Sequence, residues 1–159
     1  MAKNKKTKIP DNTLARNKKA FHDYEILETH EAGMVLAGSE VKSIKQGRIS
    51  LKESYCKFID NELYVIGMHI SEFKNASIYQ HDITRNRKLL MHKRELIKLG
   101  VKLQNTGLTV IPLKVYKKKH LIKIEIGLCK GKREYEKRQT IKDRENKIEL
   151  DRVMKSFNK

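Results

Sequence analysis

Residues 121–129 read Leu-Ile-Lys-Ile-Glu-Ile-Gly-Leu-Cys, and this stretch decides the fold class. Its isoleucines and Leu128 alternate with charged or small residues, so they share one face of a strand, while Cys129 falls on the opposite face. The preceding run, residues 108–116, is also rich in strand-forming residues. The basic turn at 117–120 joins the two runs, which predicts an antiparallel hairpin.

Further strands are predicted on the N-terminal side of this hairpin. Residues 55–59 and 63–70 form a second pair of β-rich runs around a polar turn. In the second run, four residues are expected to share one face: Tyr64, Ile66, Met68 and Ile70. A longer strand is expected over residues 24–37, with a bulge or sharp coil at Ala32-Gly33, and Pro112 indicates an edge or bulged position in its own strand.

Two helices interrupt the strands. Ser39 is a suitable N-cap for a short helix that Gly47 ends, and residues 92–104 have apolar residues at helical spacing. Residues 71–87 lack periodicity and are expected to form a loop. A mainly β fold of five or six antiparallel strands is best protected from exposed edges as a closed barrel. Residues 17–130 are therefore predicted to form an OB-type antiparallel β-barrel with two or three short helices.

The charge is concentrated at the two ends of the chain. The 159 residues contain 36 Lys and Arg against 19 Asp and Glu, a net charge of +17. Residues 1–16 have almost nothing apolar and are interpreted as a flexible basic arm. Residues 131–159 lack Pro and are rich in helix formers, which predicts a basic tail that is disordered when free and helical when bound. Such a charge calls for a polyanionic partner, with nucleic acid as the leading candidate, although charged ends also confer solubility.

Several classes of protein are excluded or disfavoured by the sequence. No apolar run approaches the roughly 20 residues that span a bilayer, and no apolar segment follows the basic N-terminus as in a signal peptide. Cys56 and Cys129 fit a reducing, cytoplasmic environment rather than a disulfide scaffold. Neither the histidines nor the cysteines cluster at metal-ligand spacing, and phosphate-binding loops and nucleophile elbows are absent. We therefore expect no metal, no cofactor and no catalytic residue.

One basic cluster is favoured as a nucleic-acid contact. Five cations lie where the 71–87 loop meets the second helix: Arg85, Arg87, Lys88, Lys93 and Arg94. Phosphate contacts need basic side chains held on an ordered surface, although a solvated face is an alternative explanation. Aromatic residues make up only 6% of the chain and Trp is absent, so extensive base stacking is not favoured. Recognition of RNA backbone and shape fits this composition better.

Glu31 is a carboxylate inside an apolar strand. It is explained most simply as an exposed edge residue. It could also orient a basic side chain or accept a hydrogen bond from an RNA amino group. The residues alone leave both interpretations open and favour the first.

A set of short motifs resembles one known family in order and spacing. The chain is similar to the SsrA-binding proteins (small protein B), the partners of transfer-messenger RNA in bacterial ribosome rescue, from about Asn17 to Lys155. The motifs that carry the resemblance are Asn17-Lys18-Lys19-Ala20, Glu31-Ala32-Gly33, Gly38-Ser39-Glu40-Val41-Lys42-Ser43, Met68-His69-Ile70-Ser71, Arg85-Asn86-Arg87-Lys88-Leu89-Leu90, His92-Lys93-Arg94-Glu95, Gly131-Lys132-Arg133 and residues 137–145.

The resemblance implies an OB-type barrel and two RNA partners. The body of the family binds the tRNA-like part of transfer-messenger RNA, and its RNA-binding positions match Asn17, Glu31 and Leu90, with Lys18 and Lys19 beside the first. The family's tail enters the empty messenger channel and decoding centre of the small ribosomal subunit. The matching tail residues here are Lys132, Arg133, Tyr135, Lys137, Arg138, Ile141, Lys142, Arg144, Ile148 and Met154. The resemblance thus raises Glu31 to a candidate RNA contact and Tyr135 to a candidate stacking residue.

The function implied is that of an adaptor and not of an enzyme. It would carry transfer-messenger RNA to stalled ribosomes, where the tail senses a vacant messenger channel. Two other classes remain open on the sequence. A general RNA-binding OB protein would show little preference for one RNA, and a nuclease or RNA-modifying enzyme would need a carboxylate or metal cluster that the sequence does not display.

Overall fold

A computed structural model describes residues 12–75, 80–105 and 107–157. Within these ranges the chain forms nine strands and four helices. The strands are β1 (Thr13–Arg16), β2 (Tyr24–Met34), β3 (Ile49–Ser50), β4 (Tyr55–Ile59), β5 (Glu62–Ile66), β6 (His69–Ile70), β7 (Arg87–Leu90), β8 (Leu108–Lys118) and β9 (Leu121–Gly131). The helices are α1 (Lys18–Asp23), α2 (Gly38–Lys45), α3 (Lys93–Leu103) and α4 (Glu134–Phe157).

Six of the strands close into a ring. Strand β2 pairs with β9, β9 with β8, β8 with β4, β4 with β5, β5 with β7, and β7 returns to β2, all antiparallel. Strand β1 adds to the outside of this ring along β8, and β3 pairs separately with β6. Closure leaves few unpaired strand edges, as expected for short strands. The predicted mainly β, OB-type antiparallel barrel is confirmed.

The alternating segment 121–129 lies in β9 and contributes apolar side chains to the barrel interior. Ile124, Ile126 and Leu128 are almost completely buried inside the ring. Cys129, which the alternation places on the outer face, is also fully buried. It packs with Ala20 and neighbours from β8 because α1 covers this part of the outer surface. The alternation therefore predicts the inner face correctly, but a helix makes the outer face a second small core.

The predicted bulge in β2 lies at a different position. Its register against β9 shifts between Ile26 and Glu28, not at Gly33. Gly33 instead pairs with Leu90 of β7, and a Cβ added to Gly33 would lie 3.4 Å from the Leu90 Cβ. The glycine thus allows a close approach of β2 and β7 where the barrel closes. The bulge expected near Pro112 is confirmed by a register shift that follows it.

The run 63–70 is divided by Gly67. This glycine has φ +77°, a conformation that L side chains rarely adopt, and it separates β5 from β6. Before Gly67 the completely buried residues are at odd positions, Leu63 and Val65. After Gly67 they are at even positions, Met68 and Ile70. The predicted common face for positions 64, 66, 68 and 70 is wrong, because the backbone turn at Gly67 exchanges the two faces of the chain.

Helix α2 begins two residues earlier than an N-cap at Ser39 indicates. Its N-cap is Ala37, whose N–H donates to Glu40 Oε2 over 2.8 Å. The Ser39 hydroxyl instead lies 2.9 Å from His81 Nδ1, in the loop before β7. The other predicted helix is confirmed as α3.

Both ends of the chain differ from the predicted boundaries. The predicted arm of residues 1–16 is too long, because Thr13–Arg16 form a strand paired with β8; residues 1–11 lie outside the described residues. At the other end β9 continues to Gly131, and the Lys132 N–H donates to the Asp23 carbonyl over 3.0 Å. The tail then forms the 24-residue helix α4. That this helix depends on a bound partner stays a prediction. None of the described helices is long and apolar enough to cross a membrane.

Candidate nucleic-acid interface

Arg87 belongs to the core and not to the predicted basic surface. Its side chain has no exposed area, and its guanidinium bonds to Glu40 Oε1 over 2.9 Å. The same group donates to four backbone carbonyls, those of Met68, Asp82, Ile83 and Arg85. A cation enclosed in this way cannot reach a phosphate, so the prediction of Arg87 as an RNA contact is wrong.

Glu40 is the centre of this buried ion cluster. It has no exposed area and also binds the Arg85 guanidinium, with Arg85 Nη2 2.6 Å from Glu40 Oε2. Burial raises the pKa of the Glu40 carboxyl, but hydrogen bonds from Arg85, the Ala37 N–H and Arg87 outweigh it and hold the pKa below its ordinary value. Arg85 remains partly exposed, with its guanidinium held by Glu40. The cluster fixes the segment 82–87 onto α2, and its two guanidiniums and one carboxylate leave one net positive charge.

Lys88 and its neighbours are more accessible. Lys88 Nζ lies 2.6 Å from Glu62 Oε1 on the adjacent strand, and both side chains are partly exposed. Lys93 and Arg94 begin α3 and are exposed, with no ion pair between either side chain and the described residues. Of the five predicted cations, these two therefore remain the best placed for contact with a polyanion.

Glu31 lies in a small exposed cluster formed by β2 and β8. Tyr116 donates its hydroxyl hydrogen to Glu31 Oε2, and Lys118 Nζ lies 3.0 Å from Glu31 Oε1. The hydrogen bonds from Tyr116 and Lys118 lower the pKa of the Glu31 carboxyl, so it is ionised at neutral pH. The carboxylate holds a lysine ammonium and a tyrosine ring at one end of the barrel. The sequence favoured neither Tyr116 nor Lys118 as a contact, since only the pairing of β9 with both β2 and β8 brings them to Glu31.

Leu90 lies on the same end of the barrel. It is 51% exposed and pairs with Gly33, two residues from Glu31. Because α3 starts three residues after Leu90, Lys93 and Arg94 follow closely along the chain. The structure therefore gathers Glu31, Leu90 and the start of α3 into one region, which we call the Glu31 surface.

Asn17 is placed differently from these residues. Its side chain is 5% exposed and caps α1 by accepting a hydrogen bond from the Ala20 N–H over 3.1 Å. Its amide nitrogen donates to the carbonyls of Leu51 and Pro112. These internal bonds show that Asn17 positions α1, on which Lys18 and Lys19 are exposed. Contact of Asn17 itself with RNA stays a prediction.

The tail residues are presented on an exposed helix. From residue 138 to 156 every described side chain of α4 is exposed except that of Thr140. Residues 132–144 carry six basic and three acidic side chains, whereas residues 145–157 carry three of each. The excess positive charge is thus confined to the half nearest the barrel. The far half carries an exposed apolar set: Ile148, Leu150, Val153 and Met154.

The groups that could bind metals or act as nucleophiles are dispersed or buried. Among the described residues no three His, Cys, Asp or Glu side chains are grouped as a metal site. Cys56 and Cys129 are buried free thiols. Burial raises the pKa of both thiols, that of Cys129 to about 11, so they are protonated and unreactive at neutral pH.

Comparison with known proteins identifies the family. The family model described as SmpB protein matches residues 14–156. An SsrA-binding protein of Levilactobacillus brevis is 46% identical over 157 residues, covering 99% of this chain and 100% of the relative. One of Persephonella marina is 52% identical over 142 residues, covering 89% of this chain and 93% of the relative. A solved structure described as "tmRNA-SmpB: a journey to the center of the bacterial ribosome" is 43% identical, with a TM-score of 0.64, and covers 75% of this chain and 84% of that one. This chain therefore belongs to the SmpB protein family.

Proposed function

We propose that this chain is an RNA-binding adaptor that delivers transfer-messenger RNA to stalled ribosomes for rescue and peptide tagging. The observation that carries the proposal is the separation of two exposed regions along β2. Glu31 lies near the end of this strand, and Asp23, where α4 joins the barrel, lies just before its start. The seven residue-to-residue steps from Tyr24 to Glu31 place the two regions roughly 23 Å apart. One molecule can therefore contact two RNAs at once.

The Glu31 surface is the proposed site for the tRNA-like part of transfer-messenger RNA. Lys118 and the exposed cations of α3 supply phosphate contacts, and the half-exposed Leu90 supplies an apolar contact. The Glu31 carboxylate orients Lys118 and can accept a hydrogen bond from a base amino group or a ribose hydroxyl. Lys88 lies on the same strand as Leu90 and extends this surface.

The basic segment 132–144, which joins β9 to α4 and continues through the first half of that helix, is the proposed ribosome-binding element. Lys132, Arg133, Lys137, Arg138, Lys142 and Arg144 provide its basic charge. A messenger channel walled by RNA attracts this charge. A messenger strand already in the channel excludes the helix by occupying the same volume. Tyr135 is 65% exposed and free to stack on a base, while Ile141, Ile148 and Met154 provide apolar contacts further along.

The body site is tested with Glu31→Ala and a matched control, Glu25→Ala. Both glutamates are exposed on β2, but Glu25 lies at the opposite end of that strand from the Glu31 surface. Loss of a charged hydrogen-bonding group is expected to weaken binding of a tRNA-like RNA fragment about tenfold or more, with no such loss for the control. Equal affinity of Glu31→Ala and the unaltered protein would remove Glu31 from the site.

The separate roles of the barrel and the tail are tested by deleting residues 134–159. This deletion keeps Lys132, whose N–H bonds to the barrel, and should leave binding of the RNA fragment within twofold. Peptide tagging on stalled ribosomes should be abolished. Loss of RNA binding on this deletion would contradict the proposed separation of roles. Binding of many cellular RNAs with similar affinity would indicate a general RNA-binding protein instead.

A further inference from the structure

A concave site lies between α1 and the strands β4 and β8, away from the Glu31 surface. Its volume is about 370 Å³, within the range of sites that hold a small organic group. The residues that line it are Asn17, Lys19, Ala20, Asp23, Tyr24, Glu53, Ser54, Tyr55, Thr109 and Ile111. Of these residues, the family resemblance assigns a role in RNA binding to Asn17 and Lys19, but it assigns none to the cavity itself.

The site combines an apolar floor with an aromatic wall. Ala20 and Ile111 are almost completely buried beneath it. Tyr55 is 45% exposed, so part of its ring is available to a ligand. A flat, partly apolar group can stack on such a ring and displace water from the floor. Stacking on tyrosine is a common way for proteins to hold an unpaired nucleobase.

The polar groups of the site are mainly acceptors. Asp23 and Glu53 contribute two carboxylates against one ammonium, that of Lys19, which lies 3.4 Å from Glu53 Oε1. A hydrogen bond from His22 lowers the pKa of the Asp23 carboxyl, so it is ionised at neutral pH. This balance disfavours a phosphate group inside the cavity. It suits a base that carries an exocyclic amino group, since carboxylates accept hydrogen bonds from such groups.

The basic half of the tail begins at the same place. The Asp23 carbonyl accepts the Lys132 N–H, and Asp23 Oδ1 lies 3.9 Å from Lys137 Nζ. RNA held by the cations of residues 132–144 therefore passes close to the cavity. Its phosphates would lie on the helix and a base could turn inward.

We propose that this cavity receives one unstacked nucleobase bearing an exocyclic amino group, from RNA that lies along the basic half of α4. The inference rests on the proposed RNA-binding function of α4. The ring of Tyr55 stacks on the base, and the carboxylate of Asp23 accepts a hydrogen bond from its amino group. Uracil, which has carbonyl oxygens in place of the amino group, is disfavoured because these oxygens face carboxylates.

The test compares three RNA hairpins that differ at one position. One has a fully paired stem, one a single bulged adenosine and one a single bulged uridine, and binding to the full chain is measured by fluorescence anisotropy. Base stacking on an aromatic side chain predicts that the adenosine bulge binds at least about fivefold more tightly than the paired stem. The uridine bulge should bind more weakly than the adenosine bulge. Equal affinity for the bulged adenosine and the paired stem would overturn the proposal.

Four variants assign the preference to the cavity. Tyr55→Ala should abolish it, Tyr55→Phe should retain it, and Tyr64→Ala, which alters a tyrosine on β5 outside the cavity, should leave it unchanged. Asp23→Asn should reduce the discrimination between adenosine and uridine. Thermal unfolding confirms that each variant is folded. A preference that survives Tyr55→Ala overturns the proposal.

Tyr55→Ala should also bind the tRNA-like RNA fragment as the unaltered protein does. Binding of that fragment should be weakened by Glu31→Ala if the Glu31 surface is the body site. If the protein does not bind the fragment but prefers the adenosine bulge, the proposed adaptor function is overturned and the proposed base-binding role of the cavity stands. A protein that binds the fragment without any bulge preference would overturn the cavity alone.

Discussion

Replacing Arg87 by Met tests the conclusion that this residue holds the fold and does not contact RNA. Methionine fills much of the same volume but leaves the completely buried Glu40 with Arg85 as its remaining ion-pair partner. It also removes hydrogen bonds to four carbonyls, including those of Met68 and Asp82. Breaking a buried ion pair from one side costs about 3–5 kcal/mol of unfolding free energy. For a chain of this length the melting temperature should fall by about 10–15 °C.

The assay is urea and thermal unfolding at pH 7, followed by circular dichroism. The double variant Glu40→Leu/Arg87→Met should be less destabilised than the sum of the two single variants, because each single change leaves an uncompensated buried group. Lys93→Ala serves as a control with an exposed cation and should lose less than about 0.5 kcal/mol. A loss below about 1 kcal/mol for Arg87→Met would refute the reasoning. The reasoning would also be refuted if the Arg87→Met protein is folded but its RNA binding is weakened as strongly as that of the Glu31→Ala protein.

The same core yields three further expectations. The pKa of Glu40 is lowered in the folded state, so the stability that its ionised carboxylate contributes is present above the unfolded pKa and is lost as pH falls through the folded pKa. The melting temperature should therefore decline below about pH 4. Glu40→Gln should make that decline smaller. Gly127→Ala should cost about 1–3 kcal/mol in a urea titration, since its Cβ would lie 2.9 Å from the buried Leu113 Cδ1. Cys56 and Cys129 should resist a thiol reagent until the protein unfolds, and rapid labelling of the native protein would contradict their burial.

Strand positions follow from the sequence where one face is buried and the other exposed. This condition holds for β4 and for β9 as far as Ile126; β4 has its predicted range, and β9 begins at the predicted residue but continues to Gly131. It fails at Gly67, where a positive φ exchanges the buried face within one β-rich run. It also fails at Cys129, because α1 covers the outer surface of the sheet. A periodic pattern carries information about the strand itself but not about a helix that packs on it from elsewhere in the chain.

The predicted site residues divide according to whether their partners are local. Lys93 and Arg94 are exposed at the start of a helix, as their sequence context indicates. Arg87 resembles them in sequence but is buried, because its partner Glu40 lies 47 positions earlier in the chain. Tyr116 and Lys118 join Glu31 over more than 80 positions. Pairings at these separations are set by barrel topology, which a local pattern does not contain.

The junction between the barrel and α4 amplifies small movements. Two residues, Lys132 and Arg133, connect β9 to a helix of 24 residues, which is about 36 Å long. At that length a rotation of one degree about the junction moves the far end by about 0.6 Å, and a rotation of 20° moves it by roughly 12 Å. Asp23 binds Lys132 and lies near Lys137 on this lever. A change at Asp23 that rotated the helix by 5° would therefore displace its far end by about 3 Å.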